Sequence, residues 1–288
     1  MNVFKNILIA LDLSDIDNTL IRYANYLAEN FDVENIYFVH NIKKYEISDF
    51  LEQEIKDIDL EDSISRELTD KVSEIMGNKA NWEVLISDDP YTESLINYIT
   101  NKYHVTTVVL GNKNGHKGTG LVGFKLLRLL KCNVLYIPKI KAIDIKKVWV
   151  STDFSNSSKK SFKVSALIQE KLNVKTKAVH VYNLPIHFSP YINNSKIEHK
   201  LETHVQNKFD QFLKKLKYPY QINKNLIAGR EANAASKIRQ EAQKHRISFL
   251  IVSDKGANTL SSLLVGSVTE ELFNRDLKVP LFITKTQD

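Results

Sequence analysis

Two stretches of the chain carry glycines at the spacing of phosphate-binding loops. The first is GTGLVG, residues 118–123, which reads G-x-G-x-x-G and would let backbone amides approach a pyrophosphate at a helix N-terminus. In dinucleotide-binding folds this pattern directly follows the first strand, with an acidic residue about 20 positions further on. Here it lies between the predicted fourth and fifth strands. The sequence therefore disfavours NAD binding and predicts a flexible, degenerate phosphate loop at residues 118–123.

The second stretch has a more informative spacing, because nine residues separate Gly256 from Gly266 and a hydroxyl residue, Ser267, follows. Glycine lets a backbone come close to phosphate oxygens, and a turn that opens a helix offers amides and a hydroxyl as donors. Nine residues are enough for the chain to leave the first turn and return, so the two ends could clamp a triphosphate. Lys255 and Lys285 could add charge, although we expect solvated surface lysines at both positions.

A carboxylate and a histidine follow predicted strands elsewhere in this half of the chain. Asp153 ends the strand in VSTDFS, where it could accept a hydrogen bond from a ribose hydroxyl or hold Mg²⁺. The alternative is an aspartate that caps the following helix. Val181 or its neighbour His180 would line the base, although a histidine on an apolar strand is more often a packed core residue.

An internal repeat indicates which elements must position these residues. FKNILIALDLSD near residue 4 and IKKVWVSTDFSN near residue 145 share a basic lead-in, an apolar run, and then Asp, an apolar residue and Ser. Asp12 thus pairs with Asp153, and later segments match in the same order at a separation of about 141 residues. The repeat predicts two domains, residues 1–140 and 145–288.

Each copy alternates short apolar runs with helical patterns, from a first strand to a fifth. This alternation predicts a parallel sheet with helices on both faces, that is, a doubly wound α/β domain. Long helices are predicted between the second and third strands, at residues 47–76 and 194–216. The linker between the copies is short, so we expect the two domains to pack against each other.

The composition is that of a soluble globular protein, with 43% hydrophobic and 26% charged residues. The formal charge of +6 comes from lysines spread along the chain, which favours an anionic ligand only weakly, so we expect no nucleic-acid partner. The single cysteine, Cys132, excludes an intrachain disulfide and a cysteine-based zinc cluster. No apolar run is long enough to span a bilayer and the N-terminus turns polar early, so we expect no membrane partner and a cytoplasmic location.

The segment SDKGANTLSSLLVGSVTEEL, residues 253–272, resembles the universal stress protein family, which has the motif G-x2-G-x9-G-[ST] after its fourth strand. Gly256, Gly266 and Ser267 match the latter part of the motif, while Ser253 stands where its first glycine would be. Asp153 matches the acidic position of the family's ATP-binding members. The resemblance extends over the full length as a tandem of two domains, and implies a Rossmann-like, adenine nucleotide alpha hydrolase-like fold in both.

The same resemblance implies binding of ATP or a related adenine nucleotide, with or without Mg²⁺, mainly in the second domain. In the first copy the interval to Gly123 is one residue short and Phe124 replaces the hydroxyl residue. The candidate nucleotide-binding residues are Ser151, Thr152, Asp153, Val181, Val252, Ser253, Lys255, Gly256, Gly266, Ser267 and Val268.

Sequence motifs of common enzyme classes are absent from the chain. It lacks G-x4-G-K-[ST], G-x-S-x-G and H-E-x-x-H, so we expect no enzyme. The family resemblance implies a nucleotide-binding stress-response protein instead. Two alternatives remain open: an interaction scaffold that binds no nucleotide, and a slow ATP-hydrolysing enzyme that uses Asp153. The resemblance further implies that the last strand of each domain pairs across a pseudo-twofold axis, forming an intramolecular pseudo-dimer, and two chains could associate as a homodimer.

Overall fold

The structure is a computed structural model that describes residues 2–44, 59–112, 119–183, 194–229, 233–256, 265–275 and 277–286. The chain divides into two compact units, Met1–Asp144 and Ile145–Asp288. Within the described residues, each unit contains five strands and four helices, which alternate along the chain. The predicted α/β architecture is therefore confirmed in both halves.

The elements of the first unit are β1 Asn6–Leu11, α1 Ile16–Asn30, β2 Asn35–Asn41, α2 Leu60–Ser73, β3 Asn81–Ser87, α3 Thr92–Lys102, β4 Thr107–Asn112, α4 Thr119–Leu129 and β5 Asn133–Pro138. Those of the second unit are β6 Lys147–Ser151, α5 Asn156–Leu172, β7 Lys175–Tyr182, α6 Asn194–Leu216, β8 Asn223–Ala228, α7 Ala234–Lys244, β9 Phe249–Ser253, α8 Ser267–Asn274 and β10 Leu281–Thr284.

The strands of each unit form a parallel sheet with the first strand near its centre. In the first unit the order is β3-β2-β1-β4-β5, and in the second it is β8-β7-β6-β9-β10. In the first unit, β2 and β3 lie on one side of β1, and β4 and β5 lie on its other side. The second unit repeats this arrangement around β6, so the strand order switches between β1 and β4 and between β6 and β9. In open parallel sheets, ligands bind at this switch point, outside the carboxyl ends of the strands.

The sequence explains why these segments become buried strands. Short runs of β-branched and aromatic residues, such as FLIVS in β9, are covered on both faces by helices and are almost fully buried. Aromatic side chains fill the space between strands and helices; in the second unit Phe162 of α5, Phe249 and Phe282 are completely buried. Two helices of the second unit begin at polar caps: Ser155 accepts from the amide of Ser158, and Asn233 from that of Ser236.

The strand registers define which residues of the two units are structurally equivalent. Leu8 pairs with Tyr37 and Val108, as Trp149 pairs with Lys177 and Leu250. From these registers the equivalent pairs are Asp12 with Asp153, Asp17 with Ser158, Gly111 with Ser253, and Asn112 with Asp254.

The helix predictions are borne out in part. The predicted helix at residues 194–216 coincides with α6, whereas only α2 of the predicted helix at 47–76 falls within the described residues, since 45–58 lie outside them. The flexible loop predicted at GTGLVG is wrong for residues 119–123, which belong to helix α4. The helix forms because the following apolar residues recur at helical spacing, and Leu126, Leu127 and Leu130 are buried.

Among the described residues, no helix combines the length and the apolar character that crossing a membrane requires.

Candidate functional site

A cavity of about 300 Å³ opens at the carboxyl ends of β6, β7 and β9, at the switch point of the second sheet. This volume is in the range of small-molecule sites. All the candidate residues taken from the sequence line this one cavity: Ser151, Thr152, Asp153, Val181, Val252, Ser253, Lys255, Gly256, Gly266, Ser267 and Val268. The fold thus brings together segments that are more than 100 residues apart in the chain.

The two motif glycines lie against each other and against Asp153. A Cβ atom added at Gly266 would be 3.2 Å from the backbone nitrogen of Gly256, and one added at Gly256 would be 3.1 Å from Asp153 Oδ2. Real Cβ atoms rarely come this close to other atoms, so a larger side chain at either position requires its neighbours to move. The glycines therefore keep this part of the cavity open and its backbone exposed.

Helix α8 begins at the cavity, and its first residues contribute to the lining. Gly266 is the N-cap in an extended conformation and supplies no side chain to satisfy the amides of the first turn. Ser267 and Val268 follow it along the cavity wall. The start of a helix combines free amide donors with a partial positive charge, which favours an anionic group.

The loop backbone around α8 is held by hydrogen bonds at both of its described ends. The Gly266 amide donates to the carbonyl of Asp254 at 2.7 Å, and Thr269 Oγ1 donates to the carbonyl of Ser253 at 2.6 Å. Ser253 Oγ donates to the carbonyl of Lys255 at 2.9 Å. These bonds fix the start of α8 against the end of β9, so the donors on this side of the cavity are preorganised.

Asp153 projects from the end of β6 and is exposed. Its Oδ1 accepts hydrogen bonds from the Ser155 amide at 3.0 Å and from Ser158 Oγ at 2.8 Å. The capping of helix α5 belongs to Ser155, whose side chain accepts from the Ser158 amide. The structure therefore assigns the cap to Ser155, and Asp153 holds the strand-to-helix turn with a carboxylate that lines the cavity.

His180 lines the cavity next to this turn and is half-buried. Its Nδ1 lies 2.7 Å from the carbonyl of Thr152, and its ring packs on Phe154 with centroids 4.2 Å apart. Burial lowers the pKa of His180, against the raising effects of the Thr152 hydrogen bond and the Asp153 charge. The neutral ring with a proton on Nδ1 fits this geometry, because only a protonated nitrogen can donate to a carbonyl.

The cavity also has apolar lining residues. Val179 and Val181 of β7 face it, together with Ala234 and Ile238 from the first turns of helix α7. Small-molecule sites usually combine such an apolar wall with a few fixed polar groups.

The expected solvated state of Lys285 is wrong. This side chain is only 6% exposed, and its Nζ lies 3.9 Å from Oδ2 of Asp254, which is equally buried. Asp254 Oδ1 also accepts from the amide of Thr286 at 3.0 Å and from its hydroxyl at 2.7 Å. A buried carboxylate thus binds the residues that follow β10, and Lys285 belongs to this buried cluster. Lys255, in contrast, is half-exposed and lines the cavity.

Comparison with known families identifies the second unit. Residues 144–285 match the profile of the universal stress protein family. The second unit therefore carries a universal stress protein domain. No curated protein matches the chain at the level of sequence.

Solved structures of universal stress proteins cover both units of the chain. One from Archaeoglobus fulgidus DSM 4304 is 16% identical, has a TM-score of 0.66, and aligns over 100% of this chain and 99% of its own. One from Pseudomonas aeruginosa UCBPP-PA14 is 12% identical, has a TM-score of 0.68, and aligns over 98% of this chain and 93% of its own. A protein of unknown function from Pseudomonas aeruginosa PAO1 is 12% identical, with a TM-score of 0.70 over 98% of this chain and 92% of its own. The chain is therefore a tandem of two units with the universal stress protein fold.

In the first unit of this chain, the end of β4 packs against large side chains of helix α1. A Cβ atom at Gly111 would lie 2.9 Å from Cγ2 of Ile16 and 3.4 Å from Cδ1 of Leu20. In the second unit the residue equivalent to Gly111 is Ser253, and helix α5 has serines where α1 has these large side chains: Ser157 and Ser161. These smaller side chains on α5 leave room for a serine at residue 253. They explain why the second unit lacks the first glycine of the motif.

Six cavity residues were missed or left undecided by the sequence: Ser158, Val179, His180, Ala234, Ile238 and Thr269. Ser158 had a usable signal, since it lies three positions after the cap Ser155, where a side chain can return to the preceding turn. Ala234 and Ile238 had none, because they reach the cavity only through the packing of α7 beside β7.

Proposed function

We propose that the second unit binds ATP or a related adenine nucleotide and acts in a stress response through its occupied state. The observation that carries this proposal is the contact of Gly256 with both Gly266 and Asp153 at the start of helix α8. This contact brings backbone donors and a carboxylate together around one cavity. The universal stress protein domain of the second unit supports the same assignment.

In this proposal the phosphates lie on the glycine side of the cavity. The amides that open α8, the Ser267 hydroxyl and the half-exposed Lys255 supply donors and positive charge there. The apolar wall of Val179, Val181 and Ile238 would contact the base.

Asp153 would bind the ribose or a metal ion. Its carboxylate accepts two hydrogen bonds through Oδ1, while Oδ2 is the oxygen nearest Gly256. Within the described ranges, no three His, Cys, Asp or Glu side chains are grouped so that they could hold a metal ion. A magnesium ion would therefore arrive with the nucleotide, since Mg²⁺ commonly binds through phosphates, waters and one carboxylate.

The proposed role is binding and not turnover. Hydrolysis of the terminal phosphate requires a group that positions or activates water beside it. Among the residues that the structure describes, the titratable side chains that line the cavity are Asp153, His180 and Lys255, and His180 Nδ1 is already engaged with the carbonyl of Thr152.

The test uses the full chain and its internal duplicate as a control. Isothermal titration with MgATP should give a stoichiometry of one, and the protein as isolated should release an adenine nucleotide on denaturation. Asp153→Asn keeps the size of the side chain and the acceptor for Ser155, so we expect at least about a ten-fold loss of affinity from the lost charge. Asp12→Asn, at the equivalent position of the first unit, should leave the affinity unchanged.

Three outcomes would overturn the proposal. No released nucleotide and no heat with ATP, ADP or AMP would indicate a scaffold without a nucleotide. Equal losses of affinity in Asp153→Asn and Asp12→Asn would show that the nucleotide does not bind specifically at the second unit. Steady release of phosphate that disappears in Asp153→Asn would show an enzyme instead of a binding protein.

A further inference from the structure

The charge of the chain is divided unequally between its two units. The first unit has 16 Lys and Arg against 22 Asp and Glu, and the second has 24 against 12. The formal charges are therefore −6 and +12, and the whole-chain value of +6 hides the difference. The expectation of no nucleic-acid partner was based on that whole-chain value.

The fold collects much of the positive charge of the second unit on one surface. We call it the strand-start surface: the residues from the last turn of each helix to the third residue of the next strand, together with residues 145–149. Because all the strands of the unit are parallel, these segments share one edge, opposite the carboxyl ends where the cavity lies. Thirteen basic residues belong to it: Lys146, Lys147, Lys171, Lys175, Lys177, Lys214, Lys215, Lys217, Lys224, Lys244, Arg246, Arg275 and Lys278.

Most of this charge faces solvent. All of these residues are exposed except Lys177 and Lys224, which are half-exposed. Among the described residues, the surface includes only three acidic ones, Glu170, Glu241 and Glu271. The latter two form ion pairs with Lys244 and Arg275 at 3.6 Å and 2.8 Å. A large net positive charge therefore remains.

The fold itself does not require this charge. Basic residues are favoured at helix C-termini by the helix dipole, and helix C-termini lie at this edge. The first unit has the same elements, yet its strand-start surface carries six basic residues against six acidic ones. In the second unit the last turn of α6 contains Lys214 and Lys215, and Lys217 follows the helix with a positive φ of 51°, a conformation that glycine usually adopts.

We propose that the strand-start surface of the second unit binds the phosphate backbone of a nucleic-acid duplex. The five strands span about 19 Å at a spacing of about 4.8 Å, and a duplex carries about 11 phosphate charges over that length. The number of basic groups is thus of the order of the charge to be neutralised. Such contacts are made to phosphates and carry no sequence information, so we expect binding without sequence preference.

The composition of the surface favours a duplex over other anionic partners. Protein interfaces and membrane-inserting surfaces need apolar anchors, and single strands need aromatic side chains on which bases stack. Among the described residues, the exposed large hydrophobic side chains all lie in the first unit: Leu13, Tyr91, Tyr98 and Leu129. Lysine ammonium groups, which act as strongly hydrated point charges, suit a repeating phosphate backbone.

The experiment measures fluorescence anisotropy of labelled 24-base-pair DNA and RNA duplexes of mixed sequence with the full chain. The logarithm of affinity should fall linearly with the logarithm of salt concentration, with a slope of about −5 for six phosphate contacts. The triple variant Lys214→Gln, Lys215→Gln, Lys217→Gln should lower the steepness by up to about 3 and weaken binding at least about ten-fold at low salt. ATP at matched ionic strength should leave duplex affinity unchanged, because the cavity is at the opposite edge.

The matched control removes the same charge from the same unit at other places. The control substitutes three exposed lysines of α5 and α6 that lie outside the strand-start surface: Lys163, Lys200 and Lys208. The variant with all three changed to Gln should bind duplexes with nearly the affinity of the native chain. An equal loss in both triple variants would overturn the proposal, because charge alone would then explain it. The proposal also fails if no duplex binds, including the cases where anionic phosphatidylserine vesicles bind instead or where the strand-start lysines only drive association of two chains.

Discussion

Gly256 lies directly against Asp153, so that a Cβ atom at residue 256 would be 3.1 Å from Asp153 Oδ2. A glycine of the loop and an acid of the first strand, separated by about 100 residues in sequence, therefore form one wall of the cavity. A side chain at residue 256 would therefore occupy the space between the loop and the Asp153 carboxylate, and not space in the core.

Gly256→Val should weaken ATP binding at least about ten-fold, because its methyl groups enter the space between the loop and the carboxylate. The free energy of unfolding should change by less than about 1 kcal/mol, since residue 256 is half-exposed. The measurements are calorimetric titration and urea unfolding. Gly77→Val is the matched control, because a Cβ there meets only Asn25 Oδ1 at an ordinary 3.6 Å. Undiminished affinity in Gly256→Val would contradict this role.

The sequence predicted the arrangement of the site well because local patterns specify it. Asp153 follows an apolar run that can only be a buried strand, and Gly256 and Gly266 mark two turns after another such run. In a parallel sheet the ends of neighbouring strands meet at one edge, so these residues must come together once the strand order is known. Every candidate residue does line the cavity. That they bind a nucleotide stays a prediction.

The failures of the sequence-based predictions have a common physical origin, which is packing between distant segments. Lys285 is polar and close to the chain end, and only its proximity to Asp254 explains its burial. The large side chains of Ile16 and Leu20, on a helix distant in sequence, explain why residue 111 is a glycine. The strand-start surface is likewise invisible in a linear reading, because its lysines are spread over five segments.

Gly111→Ser should destabilise the first unit by about 1 to 3 kcal/mol, because the new Cβ would lie 2.9 Å from Cγ2 and 3.0 Å from Cδ1 of Ile16. The reverse change in the second unit, Ser253→Gly, removes only the hydrogen bond to the carbonyl of Lys255 and should cost about 1 kcal/mol or less. Urea unfolding measures both effects. Equal losses of unfolding free energy in the two variants would show that the different surfaces of α1 and α5 do not explain why residue 111 is Gly and residue 253 is Ser.

Asp17 should make the stability of the first unit depend on pH. Burial, together with the charge of Asp12, raises the pKa of Asp17 to about 6, although the amides of Asp12 and Leu13 donate to it at 3.3 Å and 2.8 Å. The folded unit thus holds this proton more tightly than the unfolded chain, whose Asp17 has a pKa near 3.8. The contribution is present below pH 4 and is lost as the pH rises to about 6, with a size of about 3 kcal/mol.

Asp17→Ser isolates this effect, because Ser158 occupies the equivalent position in the second unit. The chain has two tryptophans, and in a Trp149→Phe background Trp82 reports on the first unit alone. The difference in unfolding free energy between the chain with Asp17 and the Asp17→Ser variant should change between about pH 4 and pH 6 and stay constant from about pH 7 to 8. A difference that does not vary with pH would exclude a raised pKa.

The buried pair of Asp254 and Lys285 should be strongly coupled in stability. Asp254→Asn removes the carboxylate that lies 3.9 Å from the Lys285 ammonium group, which is 6% exposed, and we expect a loss of about 3 kcal/mol or more. Lys285→Met should also destabilise, since it leaves the carboxylate with Thr286 as partner. The first unit has the neutral pair Asn112 and Pro138 at the corresponding strand ends, which shows that the fold needs no charge there.

The double variant Asp254→Asn, Lys285→Met should therefore be more stable than the sum of the single losses implies, by about 1 to 3 kcal/mol. Urea unfolding followed by Trp149 fluorescence in a Trp82→Phe background completes the cycle. Strict additivity of the single losses would show that the two charges do not interact across 3.9 Å.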